Sequence, residues 1–526
     1  MKVLGSAAMK EADRKTIEEI GMPGAVLMET AALRVVEFIL SSRPEAKRLV
    51  VLAGPGNNGG DGLAVARLLT IAGFSVSLWS TVKPGGYRGD AGINEQYLEN
   101  ISFQFHRILD QSALDRLTED LSRAELVIDA LLGIGVDREV EGLLANIIDI
   151  INNSGLPVVA VDIPSGVNAD SGAIMGCAVR ADWTVTFAFP KPGLLSYPGA
   201  EKAGDIYVGQ INIPSFLVEH ETVDLLTAGQ ILNMLPPRPK SAHKGNMGRV
   251  LVVAGSPGMS GAAVMAAESA LMGGAGLVYL AAAQSLSPVL SARLVEVITI
   301  DLPEIEPGII SSASAKRVLD KAGTCDVLAV GPGLDPGKET IGLLEKLIKN
   351  SPVPLVLDAG ALEALNGRME LLKEAKKTPV LTPHPGEMAR LIGTSVQEVQ
   401  LNRLELARGY ARRWNSILLL KGFNTIIADP DGKAAISPTG GPALATAGSG
   451  DLLTGLVSSF IAQGMTVENA ARTGVFIHGL AGDFVPEGRG HMAGDVMKCY
   501  KKAFQYLEKE SEGRAKKPFL QRIRPY

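Results

Sequence analysis

The sequence predicts an α/β protein, built as two successive doubly wound layers, and three observations carry that prediction. Strand-like runs that are apolar throughout recur along both halves, helical stretches separate them, and glycine-rich turns stand where strand passes to helix. Strands with no polar face must be buried on both sides, the condition of a parallel sheet covered by helices. At 526 residues the chain has room for about two to four domains.

The first half opens with helical periodicity from Lys2 to about Phe38, broken at GMPG. Strand runs follow at RLVVLAG (48–54), FSVSLWS (74–80), LVIDALLG (126–133), PVVAVDIPSG (157–166) and WTVTFAF (183–189). Stretches such as GLAVARLLTIAG and GLLANIIDIINNS supply helices between several of them. Proline and charge cluster at 236–244 and a new pattern begins at Arg249, so a boundary is expected near 215–228. RVLVVAGSPGMSGAAVMAAESALMGGAGLVYL then reads as a strand, a glycine turn and a helix of small residues. Later strands are VLAVGPGL (327–334), PLVLDAGAL (354–362), PVLTPH (379–384) and SILLLKG (416–422). NTIIADP and KAAISPT form an expected antiparallel hairpin around Asp431-Gly432. There is no short repeat and no low-complexity segment.

Composition excludes several classes. A net charge of −5 without any long basic run argues against nucleic-acid binding. No apolar stretch reaches the about 20 residues of a membrane span, and the first dozen residues are too charged for a signal peptide. Cys177, Cys325 and Cys499 lie far apart with no CxxC pair, as expected of free thiols in a reducing compartment. The expected location is the cytoplasm.

Ligands of such sheets bind beyond the carboxyl ends of the strands, and three strand ends here carry polar tips. The first, GPGNNGGDG (54–62), has five glycines and no lysine or arginine. Its bare backbone lets N–H groups approach an anion, and the following helix adds its positive end. It is neither a Walker loop nor GxGxxG. Asn58, Asp129 and Ser165, from three strand ends, form an oxygen-rich donor set that suits potassium better than a transition metal. The alternative for the loop by itself is a tight turn with Asn and Asp as turn formers.

GPGNNGGDG, DALLGIG and VDIPSGV, with the opening EADRKTIEEIGMPGAVLMETAA, resemble the epimerase domain of the NAD(P)H-hydrate repair enzymes. The resemblance implies a Rossmann-like domain over residues 1–220 that binds hydrated NADH or NADPH. Asn57, Asn58, Gly59, Gly60 and Asp61 would lie against its phosphates. Gly133, Gly135 and Asp162 would complete the site, with Asp162 as acid/base and potassium held by Asn58, Asp129 and Ser165. Ile134 stands where the family commonly has threonine.

The sharpest feature of the second half is GGPALATAGSGDLLTGLVSSFIAQG (440–464). It puts Gly448, Ser449 and Gly450 at the start of a long apolar helix, where N–H groups can cradle a phosphoryl group. Asp451, just inside, could take a proton from an attacking hydroxyl; it is equally a good helix starter. The pattern resembles the ribokinase-like signature. Those vitamin kinases usually carry Asn-x-x-Glu, whereas this chain reads TPHPGEMARLIG. HPGE, AHKGNMGRVLVVAGS, GPGL, LDAGAL and KGFNTII together resemble the dehydratase of the same repair pathway.

That resemblance implies a ribokinase-like domain over 221–512 that spends ADP, with ATP as the alternative donor, on the hydrate's hydroxyl and then eliminates phosphate. Lys421, Gly422, Asn424, Thr425, Gly448, Ser449 and Gly450 would line the nucleotide, and Gly276, Gly333, His384 and Asp451 the hydrate. Asp451 would be the base, and Glu387 would reach magnesium through water. A homo-oligomer, tetramer or larger, is implied by the family alone. Lys244 reads as a solvated lysine, and nothing is assigned to the tail KKPFLQRIRPY. The rivals are a small-molecule kinase with a regulatory N-terminal domain, and a non-catalytic scaffold. HPGE and the intact first site oppose the kinase, and the presence of Asn58, Asp61, Asp129, Asp162 and Ser165 opposes the scaffold.

Overall fold

The computed structural model describes residues 1–103, 105–486, 488–512 and 519–524. The chain divides into two compact units, Met1–Glu221 together with the segment Phe519–Arg524, and residues 222–512.

In the first unit, α1 (Ser6–Glu18) and α2 (Gly24–Ser42) precede β1 (Arg48–Ala53), α3 (Asn57–Ile71) and β2 (Ser75–Ser80). Then come β3 (Phe105–Arg107), β4 (Leu126–Ala130), β5 (Val158–Val161), β6 (Trp183–Phe187) and β7 (Asp205–Gly209). They form one parallel sheet in the order β7-β6-β5-β4-β1-β2-β3. The tail left unassigned from sequence supplies one more strand, Leu520–Arg522, antiparallel to β7. Alternate residues of β1 enter opposite layers. Leu49 and Val51 pack with Val35, Phe38 and Leu63, while Val50 and Leu52 pack with Leu117, Ile147 and Ile151. Each such side chain gains about 1.5–3 kcal/mol on burial, so the strand has no polar face. Strand order reverses between β1 and β4, which opens the crevice where such sheets hold ligands.

The second unit contains β8 (Val223–Leu225), β9 (Arg249–Val253), β10 (Leu277–Ala283), β11 (Ile298–Leu302), β12 (Glu304–Glu306) and β13 (Ile309–Ile310). It continues with β14 (Val327–Val330), β15 (Leu355–Leu357), β16 (Val380–Leu381), β17 (Ile417–Leu420), β18 (Ile426–Ala428) and β19 (Ala434–Ile436). The sheet order is β11-β10-β9-β14-β15-β16-β17-β18-β19-β8, with β12 and β13 as a separate ribbon. The sheet is parallel from β11 across to β17, and the expected hairpin β18–β19 is antiparallel. The helix Ser449–Ala462 packs closely on the helix Ser260–Met272, because small residues line both. A Cβ on Gly455 would lie 2.1 Å from the carbonyl oxygen of Ala266. Among the described residues, no helix is long and apolar enough to cross a membrane.

Two candidate active sites

A cavity of about 800 Å³ opens at the switch point of the first unit. Asn57, Asn58, Asp61, Gly133, Ile134, Gly135 and Asp162 all line it, as do Lys10, Asp13 and Lys191. The start of α3 is capped by no side chain, Gly56 standing there at φ +89°, so its first amides face the cavity as a ready anion site. Gly59 and Gly60 have a different place. A Cβ on Gly59 would lie 1.7 Å from the oxygen of Gly54, and one on Gly60 would meet Met28 and Ala91 at 2.7 Å or just beyond. These glycines let α3 pack on its neighbours and do not line the cavity.

Beneath the loop, the three predicted oxygen donors converge. Ser165 donates from its hydroxyl to Asp129 Oδ1 at 2.6 Å and from its amide to Oδ2 at 2.8 Å. The Asn58 amide nitrogen donates to Leu132 O at 3.0 Å, while its buried Oδ1 has no hydrogen-bond partner among the described residues. Burial pushes the Asp129 carboxyl up to about 6. An orphaned amide oxygen beside a buried carboxylate and a hydroxyl is the donor set a hard monovalent cation would complete.

Asp162 follows β5 with φ +66°, a strained conformation for a residue with a side chain. Its Oδ1 accepts from Thr186 Oγ1 at 3.0 Å, from the Phe187 amide at 3.1 Å and from Lys191 Nζ. Lys191 is 1% exposed and also donates to Thr186 and to Phe187 O. Two further carboxyls face the same cavity. Burial raises Asp13 to about 6, with Lys191 opposing and Asp162 adding. Asp61 is driven well above the usual range by burial, then by Asp162 and Asp13. A carboxyl kept neutral can donate a hydrogen bond but cannot repel a phosphate. Sequence reading missed Asp13 and Lys191. Their signals were a carboxylate among the buried positions Met9, Ala12 and Thr16 of α1, and a lysine just beyond the carboxyl end of β6.

In the second unit the predicted residues gather at the carboxyl ends of the central strands. The helix Ser449–Ala462 starts at Gly448, φ +91°, with no side-chain cap. The Ser449 amide is engaged with Thr446 O at 3.3 Å, so the open amides are those of Gly450 and Asp451. Asp451 is raised to about 7 by burial, then by Asp358 and Glu387, with Lys421 opposing. Lys421 follows β17 directly; its ammonium lies 3.1 Å from Asp358 Oδ1 and 3.8 Å from Glu387 Oε2. Gly422 needs its φ of +139°, and a Cβ there would strike the Arg403 guanidinium at 2.3 Å. Asn424 is buried, also at positive φ, and Thr425 donates to Gly422 O at 3.2 Å. Gly333, after β14, accepts from Ser256 Oγ at 2.7 Å through its carbonyl.

His384 serves the backbone around it. Its Nδ1 accepts from the amides of Gly386 at 3.0 Å and Glu387 at 3.4 Å, capping the helix Pro385–Ile392. Accepting at Nδ1 puts the proton of the neutral ring on Nε2, and burial, with Lys421 and Arg390, lowers its pKa. Glu387 closes the box by accepting from the His384 amide at 2.7 Å. Gly276 is not brought to this cluster. It precedes β10 and donates to Gly248 O, and Gly248 abuts Ala462 at the far end of the Ser449–Ala462 helix, about 18 Å from Gly450 at 1.5 Å per residue. Sequence reading missed Asp358 and His478. The latter is buried, lowered to about 4 by that burial, and 3.3 Å from Ser449 Oγ.

Comparison with known proteins agrees with this division. A family model described as YjeF-related protein N-terminus matches residues 24–193, and one described as NAD(P)H-hydrate dehydratase matches residues 250–502. The bifunctional NAD(P)H-hydrate repair enzyme of Moorella thermoacetica is 43% identical, with 97% of this chain and 98% of the relative covered. That of Thermofilum pendens is 40% identical over 93% of each, and that of Escherichia coli K12 is 32% identical over 93% of this chain and 91% of the relative. Among solved structures, the ADP/ATP-dependent NAD(P)H-hydrate dehydratase of Bacillus subtilis, co-crystallised with ATP and Mg2+, is 28% identical. It covers 54% of this chain and 99% of its own, with a TM-score of 0.47. The chain belongs to the family of bifunctional NAD(P)H-hydrate repair enzymes.

Proposed function

We propose that residues 1–220 interconvert the R and S hydrates of NADH and NADPH, and that residues 221–512 return the S hydrate to the reduced cofactor at the expense of ADP, or of ATP. One observation carries this reading. Each unit sets an aspartate and a lysine at the carboxyl ends of its own parallel sheet: Asp162 is paired with the buried Lys191, and Asp451 stands in the field of the half-buried Lys421, which Asp358 and Glu387 hold.

In the first site the hydrate's phosphates would meet the open amides of α3 and its ring would reach Asp162. The hydroxyl is on a carbon bonded to the ring nitrogen, so breaking and remaking that C–O bond needs a proton given and taken. Asp162, held by three donors on one oxygen, keeps its other oxygen for that exchange. Asn58, Asp129 and Ser165 would hold potassium, whose charge would steady the loop and the phosphates above it; the unpartnered Asn58 oxygen supports this.

In the second site Asp451 would take the proton from the hydrate's hydroxyl. A base raised to about 7 is half ionised near neutrality, where proton transfer is most effective. Lys421 and the open amides of Gly450 and Asp451 would face the transferring phosphoryl group. Glu387 would hold magnesium through water, and magnesium would neutralise phosphate charge. The loop Lys421–Thr425 would carry the nucleotide, with Gly333 and the Nε2 proton of His384 toward the hydrate.

The test is the return of reduced-nicotinamide absorbance from a mixed-epimer NADH hydrate with ADP, with ATP and with neither. Recovery of both epimers should require nucleotide, Asp451→Ala should abolish it, and Asp162→Ala should stall it once one epimer is consumed. No recovery with either nucleotide refutes the dehydratase assignment.

A further inference from the structure

Asp358 has no role implied by the family resemblance, yet it joins three elements of the second site. It follows β15 and is 1% exposed. Its Oδ1 lies 3.1 Å from Lys421 Nζ just after β17, and its Oδ2 accepts from Thr454 Oγ1 at 2.8 Å. Thr454 is wholly buried and stands one turn beyond Asp451 on the helix Ser449–Ala462. The next residue, Ala359, has φ +45° and ψ −115°, a conformation that a side chain disfavours. A Cβ built on Gly450 would meet Lys421 Nζ at 3.1 Å and Asp358 Oδ2 at 3.8 Å. The ammonium thus occupies the space where a side chain at Gly450 would begin, at the open helix start, and the aspartate behind it is hydrogen-bonded to that same helix.

Lysine has a flexible stem and a strongly hydrated head, and here a second carboxylate, Glu387, stands 3.8 Å away. Without Asp358 the ammonium would be left with Glu387 as its ion-pair partner and would lose the contact that fixes it beside Gly450. We propose that Asp358 is a positioning residue, anchored by Thr454, that holds the Lys421 ammonium beside the Gly450 amide so that both meet the same phosphoryl oxygens. This rests on the reading of the second unit as the nucleotide-dependent dehydratase. Asp358 makes no contact with substrate itself; it acts through Lys421.

A double-mutant cycle on the full chain tests it. Asp358→Asn and Lys421→Met should each lower kcat of dehydration about a hundredfold and weaken binding of Mg–ADP, measured by calorimetry, about tenfold. The double variant should lose no more than either single one, because both changes remove one device. Multiplied losses in the double variant overturn the proposal. Thr454→Val should reproduce part of the Asp358→Asn loss while Thr454→Ser retains wild-type rates. Equal losses in those two variants also overturn it. The calorimetric unfolding transition of the second unit, measured on the same samples, reports that each variant is folded. Wild-type protein that binds Mg–ADP but dehydrates no hydrate refutes the functional reading alone, and the binding cycle still decides the role of Asp358. Wild-type protein that binds neither Mg–ADP nor Mg–ATP overturns both.

Discussion

Replacing Asp451 by asparagine should stabilise the second unit, and by an amount that grows with pH. Burial, with Asp358 and Glu387 nearby, moves the Asp451 carboxyl from 3.8 to about 7. Between those values the folded state binds a proton that the unfolded state has lost, so stability falls as pH rises through that window. The penalty is absent below about 3.8 and complete above about 7. Some three units at about 1.36 kcal/mol each give roughly 4 kcal/mol. The group is partly open to solvent and shares Lys421 with two other carboxylates, so about 2 kcal/mol is a fairer figure. Asparagine carries no such penalty. Calorimetric unfolding of the full chain should show the second unit's transition unchanged near pH 4 and raised by about 4–8 °C at pH 8, with dehydration abolished. A shift that is the same at both pH values, or a loss of stability at pH 8, would refute the argument. Asp451 would then be an ordinary paired carboxylate, with no poise near neutrality.

In the first unit, Lys191→Met leaves the Asp162 carboxylate without its cation; it should cost about 3 kcal/mol at pH 7, read by urea unfolding, and depress epimerisation. Two glycines that look alike in sequence should part company on mutation. Gly59→Ala drives a Cβ to 1.7 Å from Gly54 O and should cost about 3 kcal/mol or more, the range of severe core damage. Gly135→Ala meets nothing within 4 Å and should leave Tm within about 1 °C while changing only hydrate binding. Ending the chain after residue 512 removes the bonds of Gln210 to Phe519 O and Ile523 to Ile206 O, the Arg522–Asp205 pair and the Arg34–Phe519 contact. The first unit should lose about 2 kcal/mol, while dehydration rates stay unchanged.

The central strands were legible because a parallel strand buried on both faces is an apolar run; β5 and β17 read that way throughout, β1 and β9 after an opening arginine, and β4 up to Asp129. β3, β7 and the C-terminal strand were not. β3 and the C-terminal strand have only three residues and β7 is half exposed over its first three, so their composition matches a loop, and pairing with a neighbour makes each a strand. The site was legible where chemistry is local: Asn58, Asp129 and Ser165 stand at strand ends, and Gly448 to Asp451 start a helix. It was obscure where the meaning comes from packing. Gly59 and Gly60 belong to a phosphate-binding pattern yet serve helix contact. His384 looked like a substrate residue, and its Nδ1 caps a helix. Asp358 stands in plain view within LDAGAL, but only the meeting of β15, β17 and a distant helix shows what it holds.

The antiparallel strand beside β7 makes the first unit discontinuous along the chain: the entire second unit is, in topological terms, an insertion between two neighbours of one sheet. Synthesis proceeds from the N-terminus at about 5–20 residues per second, so the edge of β7 stays open for roughly 15–60 s after its own residues have emerged. During that interval the nascent epimerase sheet presents unpaired amides and carbonyls to every other chain nearby. Closure comes from the same polypeptide, and only after the dehydratase unit has been made. A message truncated within the second half would yield a first unit that can fold but whose sheet is never sealed. Expression of that unit alone should gain in solubility when residues 519–524 are supplied as a fused or added peptide.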